Sequence, residues 1–307
     1  MKIAISPASF GRYSDEPFAL LRAAQLDFCC NPHGRTLTEN EVSHFVAGCT
    51  GLLAGTEALT DAVFTANPQL CVISRCGTGT DAIDKAALHK HGIALYTTPD
   101  APTRAAAEHT LGLMLALLRH IPAMNAATHA GQWHKCMGNL LYEKKVGIIG
   151  YGRIGRMVAG YVHTFGAQCA YYDPAPSAGD ACPALPLDAL LAWADIITLH
   201  CPALPQGQAL IDSQALQTMR AGTWLINTAR GSLVQEDALI HALGSHHLAG
   251  AALDVFASEP CQRALLGLPN LILTPHAASY AQESRIAMEI LSMQQLIQGI
   301  EAVKTKI

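Results

Sequence analysis

Charged residues are scarce in this chain of 307 residues: 14% of the residues are charged, whereas 50% are hydrophobic. The net charge is −4 at pH 7, and the isoelectric point is near 6.4. The chain therefore has no excess of positive charge that would attract nucleic acid or an anionic membrane. It also lacks an uninterrupted apolar run of the ~20 residues that span a bilayer. These absences predict a large buried core and neither a nucleic-acid nor a membrane partner.

The spacing of cysteine and histidine that holds a metal ion is also missing. The ten cysteines show no C-x-x-C pair, and the fourteen histidines show no H-x-x-x-H pair on a clear helix face. We therefore expect no metal site. Several cysteines lie within apolar, strand-like runs, where cysteine packs as a small hydrophobic residue. The apolar part of residues 1–7 is too short for a signal peptide, so we expect these residues to form a first strand. We also expect a cytoplasmic location, where the thiols stay reduced.

Short β-prone runs alternate with helical stretches along the whole chain. This alternation is typical of α/β proteins with parallel sheets. The proline-rich residues 98–102 interrupt the pattern and indicate a crossing between domains. We predict two Rossmann-like or flavodoxin-like, doubly wound parallel-sheet domains with a cleft between them. Residues 1–99 plus 280–307 form a discontinuous substrate domain, and residues 100–279 form a dinucleotide-binding domain.

A dinucleotide-binding pattern lies in the middle of the chain. Gly150, Gly152 and Gly155 follow an apolar run at the G-x-G-x-x-G spacing, and helical periodicity comes next. The first glycine permits a tight turn, the second a close approach to pyrophosphate, and the third close packing of helix on strand. The helix N-terminus points its N–H groups at phosphate. The next β-prone run ends in Asp173, whose carboxylate can bind both ribose hydroxyls and would repel a 2′-phosphate, so the pattern predicts NAD.

Three ionisable side chains follow apolar strand-like runs in the second half: Arg230, Glu259 and His276. An arginine can bind a carboxylate through two parallel hydrogen bonds. A histidine paired with a glutamate can supply a proton to a developing alkoxide. Each residue alone is explained as well by a helix-end contact, a solvated turn or a loop histidine. Together, in this order after the glycine motif, they predict a catalytic set that acts on a 2-keto acid.

These motifs resemble those of the D-isomer-specific 2-hydroxyacid dehydrogenase family, most closely its 3-phosphoglycerate-dehydrogenase-like branch. The similarity covers essentially the whole chain and includes residues 74–84, 92–99 and 117–122 besides the motifs above. It implies an NAD-dependent dehydrogenase that acts on a D-2-hydroxy acid and its 2-keto acid.

The resemblance also implies roles for individual residues. Arg230 would bind the substrate carboxylate and carbonyl, and His276 would be the general acid/base with Glu259 as its partner. Asp254 would bind the nicotinamide carboxamide, and Cys201 would lie beside adenosine, although a simple strand end explains Cys201 nearly as well. The implied substrate contacts are Arg75, Gly77, Thr78 and Gly79. The implied cofactor contacts are Gly150, Gly152, Arg153, Ile154, Gly155, Asp173, Cys201, Thr228, Ala229, Asp254 and Ser279.

The resemblance implies a homodimer formed through the cofactor domain. The apolar helix expected over residues 104–118, together with residues 131–133, would supply the contact. Burial of this helix within its own subunit is the alternative.

The substrate is left open by one departure from the related phosphoglycerate dehydrogenases. Those enzymes commonly carry an arginine that can meet phosphate where this chain has Ala54 and Gly55. Arg75 and Lys135 are cations that could replace it. Our main hypothesis is an oxidoreductase acting on a small D-2-hydroxy acid. A D-3-phosphoglycerate dehydrogenase of serine biosynthesis is the alternative, and an NAD-sensing protein similar to corepressors is the third.

Overall fold

The computed structural model describes residues 1–175 and 182–304. The chain divides into two compact units, one of Met1–Pro102 with Tyr280–Ile307 and the other of Thr103–Ser279. The first unit therefore continues to Pro102, whereas we placed its first boundary at residue 99. That this unit binds the substrate stays a prediction.

The first unit contains a sheet of five parallel strands. These strands are β1 (Lys2–Ile5), β2 (Asp27–Cys30), β3 (Gly51–Ala54), β4 (Val72–Arg75) and β5 (Ala94–Thr97). Their order is β2-β1-β3-β4-β5, which is that of flavodoxin-like sheets. Every residue of β3 is buried, as expected for a parallel strand covered on both faces.

The second unit contains a sheet of six parallel strands. These strands are β6 (Lys145–Ile149), β7 (Gln168–Tyr172), β8 (Ile196–Leu199), β9 (Thr223–Asn227), β10 (Leu248–Leu253) and β11 (Leu271–Leu273). Their order is β11-β10-β9-β8-β6-β7. The chain runs outward from β6 to β7 and then returns to β8 on the other side of β6, so the topological switch point lies between β6 and β8.

The helices are, in chain order, α1 (Glu16–Ala23), α2 (Glu39–Phe45), α3 (Asp61–Ala66), α4 (Lys85–His91), α5 (Thr103–Leu118), α6 (Ile121–His129), α7 (Arg153–Thr164), α8 (Leu187–Trp193), α9 (Ser213–Thr218), α10 (Glu236–Gly244) and α11 (Gln282–Lys304). In the first unit, α2, α3 and α4 share one core and α1 and α11 share the other. In the second, α8, α9 and α10 share one core with the sheet, and α5 and α7 share the other. Each sheet is thus covered on both faces, as the alternating sequence pattern predicts.

The helix after the glycine motif shows how the sequence directs local structure. In α7, the buried residues Gly155, Val158, Ala159 and Val162 follow the i, i+3, i+4, i+7 spacing of one helical face. This face packs on α5 and on β6. The absence of a side chain at Gly155 lets the first turn of the helix approach the strand.

From the sequence, no strand is singled out at β2 and no helix at α2 or α6. β2 is a short edge strand that carries Asp27 and has no fully buried residue, so it lacks an apolar run. α2 begins with a capping box between Thr38 and Glu41, which is a local signal that we did not use. α6 buries none of its residues and therefore has no apolar face directed at a core.

The expectation of reduced thiols is wrong for one pair, because Cys169 and Cys182 form a disulfide. Cys169 lies in β7, and the chain returns alongside this strand through a parallel bridge between Tyr171 and Ala184. The two Cα atoms are therefore only 5.7 Å apart, within the range that a disulfide spans. Sequence spacing alone gave no signal for this return.

In the part of the chain that the structure describes, no group of three or more His, Cys, Asp or Glu side chains could hold a metal ion. None of its helices there is both long enough and apolar enough to cross a bilayer.

Candidate active site

The predicted site residues of the second unit follow the carboxyl ends of its parallel strands. The glycine motif follows β6, Asp173 follows β7, Cys201 follows β8, and Thr228 to Arg230 follow β9. Asp254 follows β10, and the segment 274–279 follows β11. Because all strands run in the same direction, these side chains share one edge of the sheet, where ligands bind in open α/β sheets.

The glycine motif leaves no room for side chains at its first and third positions. Gly150 has φ +92°, and a Cβ there would lie 2.6 Å from backbone atoms of His200 and Cys201. A Cβ at Gly155 would lie 2.1 Å from the Gly150 carbonyl oxygen. Gly152 is the N-cap of α7, where no side chain caps the helix and a Cβ would meet open space. The turn therefore has no space for side chains at Gly150 and Gly155, whereas Gly152, at the N-terminus of α7, faces open space.

The Asp173 carboxylate is held in place by backbone amides. It accepts hydrogen bonds from the N–H of Tyr151 (2.8 Å, to Oδ2) and of Ala175 (3.0 Å, to Oδ1). One bond fixes the acid to the glycine turn, and the other fixes it to the chain after β7. Each oxygen keeps a lone pair for a further donor, so the carboxylate is oriented for a diol such as ribose.

His276 and Glu259 form the pair that the sequence predicts. The His276 Nδ1 atom lies 3.0 Å from both Glu259 carboxylate oxygens, although the residues come from the loops after β11 and β10. Both side chains are exposed by nearly half, 48% for His276 and 43% for Glu259. With its proton on Nδ1 donated to Glu259, the ring turns Nε2 toward whatever binds beside it.

The loop that carries His276 is fastened by Asp254, which is fully buried. The Asp254 carboxylate accepts hydrogen bonds from the amides of Ala277 (2.8 Å) and Ala278 (2.9 Å) and from the Thr274 hydroxyl (2.5 Å). Its carbonyl oxygen accepts the His276 amide at 2.8 Å. Burial alone would raise the pKa of Asp254, but these hydrogen bonds and one from His109 lower it. The predicted contact of Asp254 with nicotinamide stays a prediction.

Arg230 lies on a turn pressed against the loop after β10. Its Nη1 atom donates to the Ala229 carbonyl oxygen at 2.7 Å. A Cβ at Gly231 would lie 1.9 Å from the backbone of Phe256, so only glycine permits this approach. The turn is also fixed by Asn227, whose side chain donates to the Arg230 carbonyl oxygen and accepts the Ala229 amide.

In the first unit, the predicted substrate loop follows β4. The Gly77 amide donates to the Arg75 carbonyl oxygen, so it is already used within the loop. The Arg75 guanidinium donates to the carbonyl oxygens of Gly79 (3.1 Å) and Cys76. Within residues 1–175 and 182–304, the amides of Thr78 and Gly79 donate no hydrogen bond, which leaves them for an anion.

The family model for the D-isomer specific 2-hydroxyacid dehydrogenase NAD binding domain matches residues 111–278. The chain belongs to this family. The expectation from the sequence is thus confirmed, and the matched segment lies within the second compact unit.

Individual relatives support membership of this NAD-dependent dehydrogenase family. A D-3-phosphoglycerate dehydrogenase of Synechocystis is 37% identical over 246 residues, which cover 78% of this chain and 44% of the relative. The chain spans about half the length of the curated relatives it matches. Among solved structures, the TT0316 protein of Thermus thermophilus is similar with a TM-score of 0.92 and 32% identity, over 98% of this chain and 97% of that one. An NAD-binding D-isomer specific 2-hydroxyacid dehydrogenase of Polaromonas, described as putative, has a TM-score of 0.88 and 32% identity, over 99% of this chain and 97% of that one.

NAD is the cofactor of this dehydrogenase family, and the residues present fit it. The open N-terminus of α7 at Gly152 suits pyrophosphate, and the oriented Asp173 carboxylate suits an unphosphorylated ribose. Gly150, Gly152, Arg153, Ile154 and Gly155 form the turn and first helical residues. Cys201, Thr228, Ala229 and Ser279 lie along the same sheet edge, and their contacts with NAD stay predictions.

Two residues next to the candidate site were missed by the sequence analysis. His109 Nε2 lies 3.2 Å from Thr274 Oγ1 and 3.4 Å from Asp254 Oδ1. Thr110 Oγ1 lies 2.8 Å from Thr228 Oγ1. Both residues lie on α5, before β6, and their sequence context is an apolar helix, so no local pattern connects them to the later strand ends.

His200 is a further histidine close to the glycine turn. It follows β8, and its Nε2 atom lies 2.9 Å from Thr198 Oγ1. Removal from solvent lowers the pKa of His200 to about 3, because burial disfavours the charged imidazolium. The neutral form is therefore the one compatible with the fold.

We expect His200 to make the protein less stable in acid. Its folded pKa lies below the unfolded value of 6.5, so the unfolded chain binds the proton first and the free energy of unfolding decreases as the pH falls from 6.5 toward 3. Denaturant titrations between pH 7 and 4 should show wild type losing about 1 kcal/mol per pH unit relative to His200→Gln below pH 6.5. The exposed His241→Gln is the control, and parallel curves for wild type and His200→Gln would contradict the prediction.

We expect Asp173 to set the preference for NADH. Asp173→Ala removes the ribose acceptor and the charge that repels a 2′-phosphate, so NADH affinity should fall about tenfold or more while NADPH binding improves relative to it. Fluorescence titration with both cofactors measures the ratio. The exposed Asp188→Ala is the matched control, and an unchanged NADH to NADPH ratio in Asp173→Ala would refute the assignment.

Proposed function

We propose that this protein transfers a hydride between NAD(H) and a small D-2-hydroxy acid or its 2-keto acid. The observation that carries the proposal is the His276–Glu259 pair, with Nδ1 held 3.0 Å from both carboxylate oxygens. A dehydrogenase that reduces a carbonyl needs a proton donor at the carbonyl oxygen, and a histidine held by a carboxylate fits that need. Family membership supports the same reaction class.

His276 acts as the general acid/base in this proposal. During reduction, Nε2 of the protonated ring gives its proton to the developing alkoxide while Nδ1–H stays bonded to Glu259. During oxidation, neutral His276 takes the hydroxyl proton. NAD(H), when bound, would supply or accept the hydride. Glu259 fixes the tautomer and the orientation of the ring, because its two carboxylate oxygens both lie 3.0 Å from Nδ1.

Arg230 binds the substrate carboxylate and carbonyl oxygen in this proposal. Its planar guanidinium can make two parallel hydrogen bonds to a carboxylate, and its position on a turn fixed by Asn227 supports a defined orientation. In the first unit, the amides of Thr78 and Gly79 are the groups that we assign to the substrate anion. The Gly77 amide is left out of this assignment, because it donates to the Arg75 carbonyl oxygen.

Charge in the first unit favours a substrate without phosphate. β3 ends at Ala54, and Gly55 beside it precedes Glu57, which is 3% exposed. The Glu57 carboxylate accepts hydrogen bonds from the Gly55 amide (3.0 Å) and the Ser6 hydroxyl. The Cys76 amide donates to the Ala54 carbonyl oxygen, so this carboxylate lies at the strand end beside the predicted substrate loop. A fixed negative charge disfavours a dianionic phosphate nearby.

D-3-phosphoglycerate oxidation is the second candidate. The observation in its favour is the name of the curated relatives, which are 35–39% identical to this chain. Phosphoglycerate oxidation has little support from Arg75 and Lys135, the cations that could take the place of the phosphate-binding arginine. Arg75 is bonded to the carbonyl oxygens of its own loop, and Lys135 is exposed in the second unit. An NAD-sensing role has no specific observation in its favour.

We also propose a homodimer formed through the second unit. Helix α5 has nine buried residues within its own subunit, which supports the alternative that we left open for it. The residues that follow are different: Ile121, Trp133, Met137, Leu140 and Tyr142 are exposed, Trp133 by 88% and Met137 by 93%. Such a concentration of exposed apolar side chains is typical of a protein interface.

A cytoplasmic location stays a prediction. The Cys169–Cys182 disulfide is the observation against it, because reducing compartments keep most thiols unpaired.

We expect NADH oxidation, measured at 340 nm, to be faster with pyruvate, glyoxylate or hydroxypyruvate than with 3-phosphohydroxypyruvate. His276→Ala should lower kcat at least 100-fold and leave NADH affinity nearly unchanged. Glu259→Gln should retain part of the activity, because the ring keeps a neutral hydrogen-bond partner at Nδ1. A selective preference for the phosphorylated acid would establish the second candidate, and wild-type rates in His276→Ala would refute the assigned acid/base.

We expect Trp133→Asp to yield monomers, because a charge at the centre of an apolar interface is costly to bury. Sedimentation at micromolar protein measures the change. Tyr13→Asp, which alters an exposed aromatic residue of the first unit, is the matched control. A monomeric wild-type protein would contradict the proposal.

A further inference from the structure

Two adjacent side chains of α5 reach two loops that carry predicted catalytic residues. His109 contacts the segment before His276, and Thr110 contacts the segment before Arg230. These segments follow β11 and β9, on either side of β10 in the sheet. One helical turn therefore touches both loops, although more than 100 residues of chain separate it from either one.

The direction of the hydrogen bonds at His109 follows from the single proton of the Thr274 hydroxyl. Thr274 Oγ1 donates to Asp254 Oδ1 at 2.5 Å, so it accepts from His109 Nε2 at 3.2 Å. His109 Nε2–H also lies 3.4 Å from the Asp254 carboxylate. His109 is thus the outermost donor of a chain that runs through Thr274 to Asp254, the residue that fastens Ala277 and Ala278.

The same reasoning gives the direction at Thr110. Its hydroxyl donates to the Ala106 carbonyl oxygen at 2.8 Å, so it accepts a hydrogen bond from the Thr228 hydroxyl at 2.8 Å. Thr110 is fully buried and Thr228 is 9% exposed. A buried hydroxyl pair of this kind is costly to leave unsatisfied, and it fixes the start of the turn that ends in Arg230.

We propose that His109 and Thr110 are positioning residues that hold the two catalytic loops in register on α5. This inference rests on the proposed function, because it assigns the two residues to the alignment of His276 and Arg230. Neither His109 nor Thr110 is assigned a contact with substrate or cofactor.

His276 depends on its support because it has φ +54°, a backbone conformation that costs a non-glycine residue free energy. The Asp254 bonds to the amides of 276–278 hold the loop in this conformation. Asp254 is completely buried, so loss of the His109 donor leaves its carboxylate less compensated. The loop then becomes more mobile at His276, whose ring must reach the reacting oxygen.

The test compares His109→Leu and Thr110→Val with the conservative variants His109→Gln and Thr110→Ser. Gln keeps an N–H donor toward Thr274, and Ser keeps the hydroxyl. We expect Leu and Val to lower kcat for keto-acid reduction about tenfold or more, since small misplacements of reacting groups are costly. Gln and Ser should restore most of kcat, because they keep the hydrogen-bonding groups toward Thr274 and Thr228.

A second readout uses the protein without cofactor. The imidazole ¹H–¹³C signal of His276, assigned by its loss in His276→Ala, should shift or broaden in His109→Leu and return in His109→Gln. His241→Leu makes the same substitution at an exposed helical site and should leave the signal, kcat and thermal midpoint unchanged.

Unchanged kcat and an unchanged His276 signal in His109→Leu would overturn the proposal. An equal loss in Leu and Gln, or a loss that follows the thermal midpoint, would also overturn it, since the role would then be packing. If wild type reduces none of the keto acids, the proposed function fails. The His276 signal then decides the positioning role alone.

Discussion

The candidate site depends on one buried carboxylate. Asp254 is fully enclosed, and the amides and hydroxyl around it lower its pKa although burial acts in the opposite direction. A buried charge is tolerated only when it is fully hydrogen-bonded. The Asp254 carboxylate therefore holds the donors around it in place. These donors belong to the loop of His276. The hydrogen bonds that compensate the buried charge therefore also order the loop of His276, the proposed acid/base.

The sequence predicted those parts of the protein whose chemistry is local. The glycine turn needs residues without side chains at fixed spacing, and Gly150 and Gly155 have no room for a Cβ. Glu259 and His276 belong to separate motifs, and only the order of these motifs along the chain predicted that the two side chains pair. In the structure, His276 Nδ1 lies 3.0 Å from Glu259 Oε1. Strands with continuous apolar runs, such as β3, were equally accessible to prediction because burial on both faces leaves a composition signal.

What the sequence could not provide depends on contacts between distant segments. His109 lies in an apolar helix, and its partner Thr274 is 165 residues away, so no periodicity relates them. The return of the chain beside β7, which pairs Cys169 with Cys182, likewise leaves no mark on cysteine spacing. Glu57 was not singled out from the sequence, because its hydrogen-bond donors Ser6 and Gly55 follow two different strands.

The last helix of the chain has a consequence for biosynthesis. Residues of α11 such as Met293, Leu296 and Ile300 fill one core of the first unit, and Gly51 and Gly299 lack side chains where helix and sheet meet. The strands of that sheet are all made before residue 98, whereas α11 emerges from the ribosome only after the entire second unit has been synthesised. For that interval α1 alone covers this face of the nascent sheet, and the apolar surface that α11 later buries can attract chaperones or other unfinished chains. The second unit, continuous in sequence, can complete its own fold in the meantime.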